Sequence, residues 1–144
     1  MLVKSEHVER AVAEVSAGAG RSEHVAEVVG GFMRRQPMIG HYVQAHRTEL
    51  GSVEGVVLAL LHAHVVARCV EVARGRVLRP VSAADLDAAA KAGRPALAST
   101  EPELDGYLEG NVVKDDPTLG KVRDQALSLL RLVARAILDQ LGGT

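Results

Sequence analysis

Val53-Glu54-Gly55-Val56-Val57-Leu58-Ala59-Leu60-Leu61-His62-Ala63-His64-Val65-Val66-Ala67-Arg68-Cys69-Val70-Glu71-Val72-Ala73-Arg74, set between Gly51-Ser52 and Gly75, is the stretch on which the fold turns. It is too long and too uniformly apolar for a strand. Its longest uncharged run, Gly55 to Ala67, carries two histidines and falls short of the roughly 20 apolar residues a bilayer requires. It therefore reads as a central helix over about 53–74, buried around most of its circumference and covered by other helices or by a second copy of the chain.

Unrolled at about 100° per residue, Glu54, His64, Arg68 and Glu71 share an arc of roughly a quarter turn, interleaved with Val57 and Leu61. His62 points elsewhere. Arg68 follows His64 by four residues and precedes Glu71 by three, so the three are within reach of one another on one face. A half-solvated ridge with one ion pair is the default for such residues. The sharper alternative is a polar seam in a pocket or interface, joined by His41, Tyr42 or His46 from the preceding helix. The two readings predict different costs for Arg68→Ala: more than about 2 kcal/mol if the arc is buried, within ~0.5 kcal/mol if it is wet.

Outward from the centre, helical spacing continues in both directions. A first helix is expected over about 3–17 with Val8, Ala11, Val12 and Val15 on one face, ended by Gly18-Ala19-Gly20. A second begins with Ser22 as N-cap and carries Val25, Val28, Val29, Phe32 and Met33. Ser5-Glu6-His7-Val8 and Ser22-Glu23-His24-Val25 echo one another, but a single echo is two similar helix starts rather than a repeat array. Pro37 ends the second helix and opens a third, to about Leu50, burying Ile39, Tyr42, Val43, His46 and Leu50. Gly51-Ser52 then reads as a C′ glycine and a fresh N-cap, with a kinked continuous helix as the alternative.

Phe32, Arg35-Gln36-Pro37, Tyr42, Glu54 and the apolar run after them resemble, over about residues 32–75, small all-helical bacterial proteins without an assigned activity. That resemblance implies a shared structural centre and no chemistry.

Beyond the centre, Arg74, Arg76 and Arg79 lie in an exposed connection, where cations suit a helix C-terminus better than they argue for a phosphate site. Ser82 and Asp85 form a capping box, with Val81 placed to staple onto Leu86 in a helix ending at Gly93. Thr100-Glu101-Pro102-Glu103 opens a short helix with Leu104, Tyr107 and Leu108 inward and Glu101, Glu103, Asp105 and Glu109 on a solvated face. Asp116-Pro117 should cap the last helix, whose stripe runs from Leu119 to Leu141 against the central one. No strand pattern is present. The expectation is an all-α, single-domain bundle of six to seven helices spanning 1–144, with 142–144 a flexible tail.

Composition narrows function mostly by exclusion. The 144 residues carry a net charge of −1, so no global field recruits nucleic acid or acidic lipid. The second helix opens on Ser22-Glu23-His24 with Glu27 close behind, which would repel phosphate in a helix-turn-helix. Cys69 is the one cysteine, expected as an inert buried thiol in a reducing, cytoplasmic setting. Among six histidines none follows a glutamate by three positions, and no pair shares a helix face at zinc-site spacing, so no metal or cofactor is expected. There is no nucleophile elbow. What remains is a non-enzymatic interaction or structural module that self-associates as a dimer, with a small-ligand or metal-binding bundle as the competing class.

Overall fold

The central stretch is one uninterrupted helix from Val53 to Arg74, and its two ends are built as chemistry requires. Ser52 Oγ accepts the Gly55 amide at 3.0 Å, satisfying one of the first-turn donors. Gly51 closes the preceding helix in the left-handed region at φ 82°, so the chain reverses there rather than continuing through a kink. A Cβ on Gly55 would stand 2.3 Å from the Leu50 carbonyl oxygen, so only glycine lets the two helices approach this closely.

The structure, a computed structural model, describes residues 1–17, 22–91 and 95–142. Among them are α1 (Ser5–Ser16), α2 (Ser22–Arg35), α3 (Pro37–Ala45), α4 (Arg47–Leu50), α5 (Val53–Arg74), α6 (Ala83–Ala89), α7 (Leu97–Thr100), α8 (Pro102–Asn111) and α9 (Arg123–Gly142), with a 3-10 turn at Gly120–Val122. There is no strand among the described residues. Setting aside the single-turn α4 and α7 leaves seven helices among the described residues, within the six to seven expected. The α1–α2 junction and the Gly93 end lie outside the described residues.

Helix α5 is the hub. Helices α1, α2, α3, α4, α8 and α9 pack against it, while α6 leans on α9 and α7 on α8. By length and hydropathy Val53–Arg74 does qualify as a membrane-crossing helix, contrary to the argument from its uncharged run. Its apolar surface is instead spent inside the protein: Val56, Leu60, Val65, Val66, Cys69 and Val70 join one continuous buried cluster with Phe32, Ile39, Leu104, Leu130 and Ile137. Burying each of these larger side chains stabilises by about 1.5–3 kcal/mol.

Four local expectations need correction. The third helix is broken at His46, whose Nδ1 bonds the Tyr42 carbonyl at 2.8 Å, separating α3 from α4. Tyr42 and His46 are therefore only half-buried. Asp116 does not start α9; its carboxylate accepts the Thr118 and Leu119 amides at 2.7 and 2.9 Å and shapes a turn before the 3-10 segment. Gly142 belongs to α9 rather than to a tail, and residues 143–144 are outside the described set. The acids of α8 are not all on a solvated face. Glu101 and Asp105 are buried, the first accepting the Leu2 and Val3 amides and the second held by Arg131.

Candidate functional site

The polar arc of α5 was the strongest candidate for chemistry, and the structure divides it. His64 is 8 % exposed. Arg35, at the end of α2, donates through Nη2 to His64 Nδ1 at 3.3 Å, which fixes the neutral tautomer with its proton on Nε2. Phe32, one turn earlier on α2, meets the imidazole edge-on with ring centroids 5.5 Å apart. Burial and the adjacent Arg35 guanidinium push the His64 pKa down to about 4. Around it Phe32, Arg35, Gln36, Ala67, Glu71 and Leu78 leave a crevice of only about 10 Å³. That is space for about one water and not for a ligand.

Arg68 looks the other way. Its Nε and Nη2 clamp both oxygens of Glu14 on α1, at 2.7 and 3.0 Å, and its Nη1 reaches Glu71 Oε1 at 3.0 Å. The second oxygen of Glu71 accepts the Leu78 amide at 2.9 Å. Hydrogen bonding to Arg68 holds the Glu14 carboxyl below its ordinary range, and bonding to Glu14 raises the guanidinium further. The network ties α1, α5 and the connection after α5 together. Its middle is drier than its rim: Glu71's side chain is 10 % exposed and Glu14's 50 %.

Arg68→Ala should therefore fall between the two extremes set by sequence. Glu71 loses its cation in a nearly dry place but keeps the Leu78 amide, and Glu14 simply returns to water. The expected destabilisation is about 1–2 kcal/mol, read from urea unfolding midpoints at unchanged m. A change under ~0.5 kcal/mol would show that the clamp is ornamental.

The other arc candidates stay apart. Glu54 and His41 are exposed. Tyr42 and His46 pair with each other, ring centroids 4.5 Å apart, and burial followed by the Asp87 charge raises the Tyr42 hydroxyl pKa. The seven residues thus form a histidine-arginine contact, an ion cluster, an aromatic pair and two surface positions, rather than one site. Among the described residues no group of His, Cys, Asp and Glu is arranged to hold a metal ion.

Sequence reasoning also passed over buried polar residues. Gln36, 4 % exposed, donates to the Arg79 carbonyl at 3.0 Å and accepts the Val81 amide at 2.7 Å, fastening the connection after α5. Only its place before Pro37 marked it, and that speaks to backbone alone. His62 is buried with Nδ1 2.9 Å from the Tyr107 hydroxyl, while its Nε2 has no hydrogen-bond partner among the described residues. Burial lowers the His62 pKa and raises that of Tyr107. Cys69 is fully buried as expected, and burial pushes its thiol up to about 12, far from a nucleophile's range.

One further feature is open to a partner. At the α3–α5 corner, Gln44, Arg47, Thr48, Ser52, Val53 and Val56 line a groove of about 690 Å³. Val53 at its edge is 76 % exposed.

No protein-family model, curated protein or solved structure matches the chain.

Proposed function

We propose that the protein is a non-enzymatic α-helical interaction module that pairs with a second copy of itself, working in a bacterial cytoplasm. The observation that carries this reading is Val53, 76 % exposed at the edge of the α3–α5 groove. A two-fold contact must be self-complementary, since the same patch serves both partners. This patch has that property in outline: it offers an apolar knob in Val53, a groove to receive one, and exposed Arg47 close in sequence to exposed Glu49 and Glu54. The reducing compartment is supported by Cys69, which is free and buried. The competing reading, a ligand or metal bundle on the polar arc, has little support from a crevice of about 10 Å³ beside His64.

Size-exclusion chromatography with light scattering tests the pairing. The chain should elute at roughly twice its 15.2 kDa mass. Val53→Glu should shift it to the monomer with its helical signal intact, because Val53 contributes nothing to the core. A strict monomer at high concentration, or a dimer indifferent to Val53→Glu, overturns the reading.

A further inference from the structure

Two helix C-termini, those of α5 and α9, meet beside the connection 75–81. Between them Arg74, Arg76 and Arg79 line a concavity of about 320 Å³, with Val77, Leu78 and Leu141 as its apolar wall. The dipole argument from sequence explains Arg74, the last residue of α5, because that field fades within one turn. It does not explain Arg76 and Arg79, which stand beyond the Gly75 cap.

Each helix end carries about half a negative charge, so the two together offset about one of the three guanidinium groups. Against the dipoles alone, roughly two positive charges are left over; the carboxylates of Glu101 and Asp139 share a neighbouring depression with Arg74, leaving Arg76 and Arg79 as the exposed cations. None of the three arginine side chains has a hydrogen bond or ion pair with a described residue, and the nearby Glu71 is already engaged by Arg68 and the Leu78 amide.

The connection is also held still. Glu71 Oε2 takes the Leu78 amide, Gln36 grips the backbone at Arg79 and Val81, and Gln140 of α9 donates to the Arg79 carbonyl. A segment fastened at several positions by a buried amide and a largely covered carboxylate loses little further freedom on binding a ligand. Guanidinium groups match phosphate oxygens with paired donors.

We propose that this concavity is a binding site for a phosphate monoester dianion whose alcohol part is apolar, the phosphate held by Arg74, Arg76 and Arg79 and the apolar part resting on Val77 and Leu141. The proposal is independent of self-association, since it uses the opposite end of α5 from Val53.

Isothermal titration calorimetry on the full chain, with hexyl phosphate as probe, tests it. Saturable one-to-one binding is expected, weaker for inorganic phosphate and absent for hexanol. Arg76→Gln with Arg79→Gln should weaken binding at least about tenfold, as loss of two charge-assisted contacts requires. Both side chains are exposed, so the fold should be unaffected. Arg10→Gln with Arg34→Gln removes the same net charge from other exposed positions and should leave affinity within about twofold. No saturable binding in the millimolar range, equal losses in the two double variants, or equal affinity for hexanol would each overturn the assignment.

Discussion

Phe32→Ala should destabilise the protein by about 3–5 kcal/mol, the range for emptying a large aromatic site in a close-packed core. Phe32 is 1 % exposed and is the only phenylalanine in the chain. It stands on α2 and meets α5 at the His64 ring, in a core that Ala, Val and Leu mostly pack. A cavity there is lined on one side by the His64 ring, so water admitted to it would hydrate the imidazole. The variant should therefore show a second change, a His64 pKa moved up from about 4 toward 6.5, visible in an NMR titration of the ring protons. A loss below about 1.5 kcal/mol, or an unmoved His64 titration, would mean that α2 collapses onto α5 and refills the site.

The same histidine gives the protein an acid limit whose sign follows from linkage. The folded-state pKa is depressed, so between about 6.5 and about 4 the unfolded chain binds more protons than the folded one. Stability conferred by neutral His64 is present above that window and declines as pH falls through it, by about 2–3 kcal/mol at most. His62, shifted the same way by burial, adds to the decline. Urea midpoints at pH 7.5 and 4.5 measure the fall. His64→Asn, which keeps an acceptor near Arg35 but cannot charge, should flatten the pH dependence; an unchanged slope would assign the acid sensitivity to other groups.

How much of this was legible depends on the range of the interaction concerned. The ends of α5 were readable because Gly51, Ser52 and Gly75 act within one turn. The Ser82–Asp85 capping box was readable for the same reason, and both of its hydrogen bonds form, at 3.0 and 3.1 Å. Periodicity found the core faces. It could not find partners supplied by distant segments. Arg68 satisfies Glu71 as the i, i+3 spacing suggested, but its fuller pairing is with Glu14, 54 residues away. The two echoed histidines also part company: His7 Nδ1 accepts the Lys4 amide of its own helix, whereas His24 reaches across to the Val15 carbonyl of α1. The start of α9 failed for a similar reason. Asp116-Pro117 has the form of a helix start, yet a Cβ on Gly120 would come within 2.2 Å of the Lys114 carbonyl oxygen, so the chain is folded back on itself there. The carboxylates of α8 looked solvated only because their cation and amide partners lie far along the chain.

One of those carboxylates sets the second large expectation. Asp105 sits in the first turn of α8, 5 % exposed, where the helix dipole favours its charge. Arg131 on α9 meets it with two bonds, Nε to Oδ1 at 2.7 Å and Nη2 to Oδ2 at 3.2 Å, and extends to Glu109 at 2.8 Å. Breaking a fully buried pair by removing one partner costs about 3–5 kcal/mol. Arg131's side chain is a third exposed, at 33 %, so water can follow it in and relieve part of the stranded charge. Arg131→Ala should accordingly cost about 2–3 kcal/mol. Glu109, 55 % exposed, would return to solvent at little expense. The informative partner variant removes both charges. Arg131→Met with Asp105→Asn stays close to both original volumes and strands no charge, so it should recover most of the loss, leaving the double variant within about 1 kcal/mol of the parent. Recovery would show that the pair fixes how α8 docks on α9 without being a net source of stability. If the double variant is instead as unstable as Arg131→Ala, the bidentate geometry itself stabilises the α8–α9 contact, and the penalty does not come from an uncompensated carboxylate.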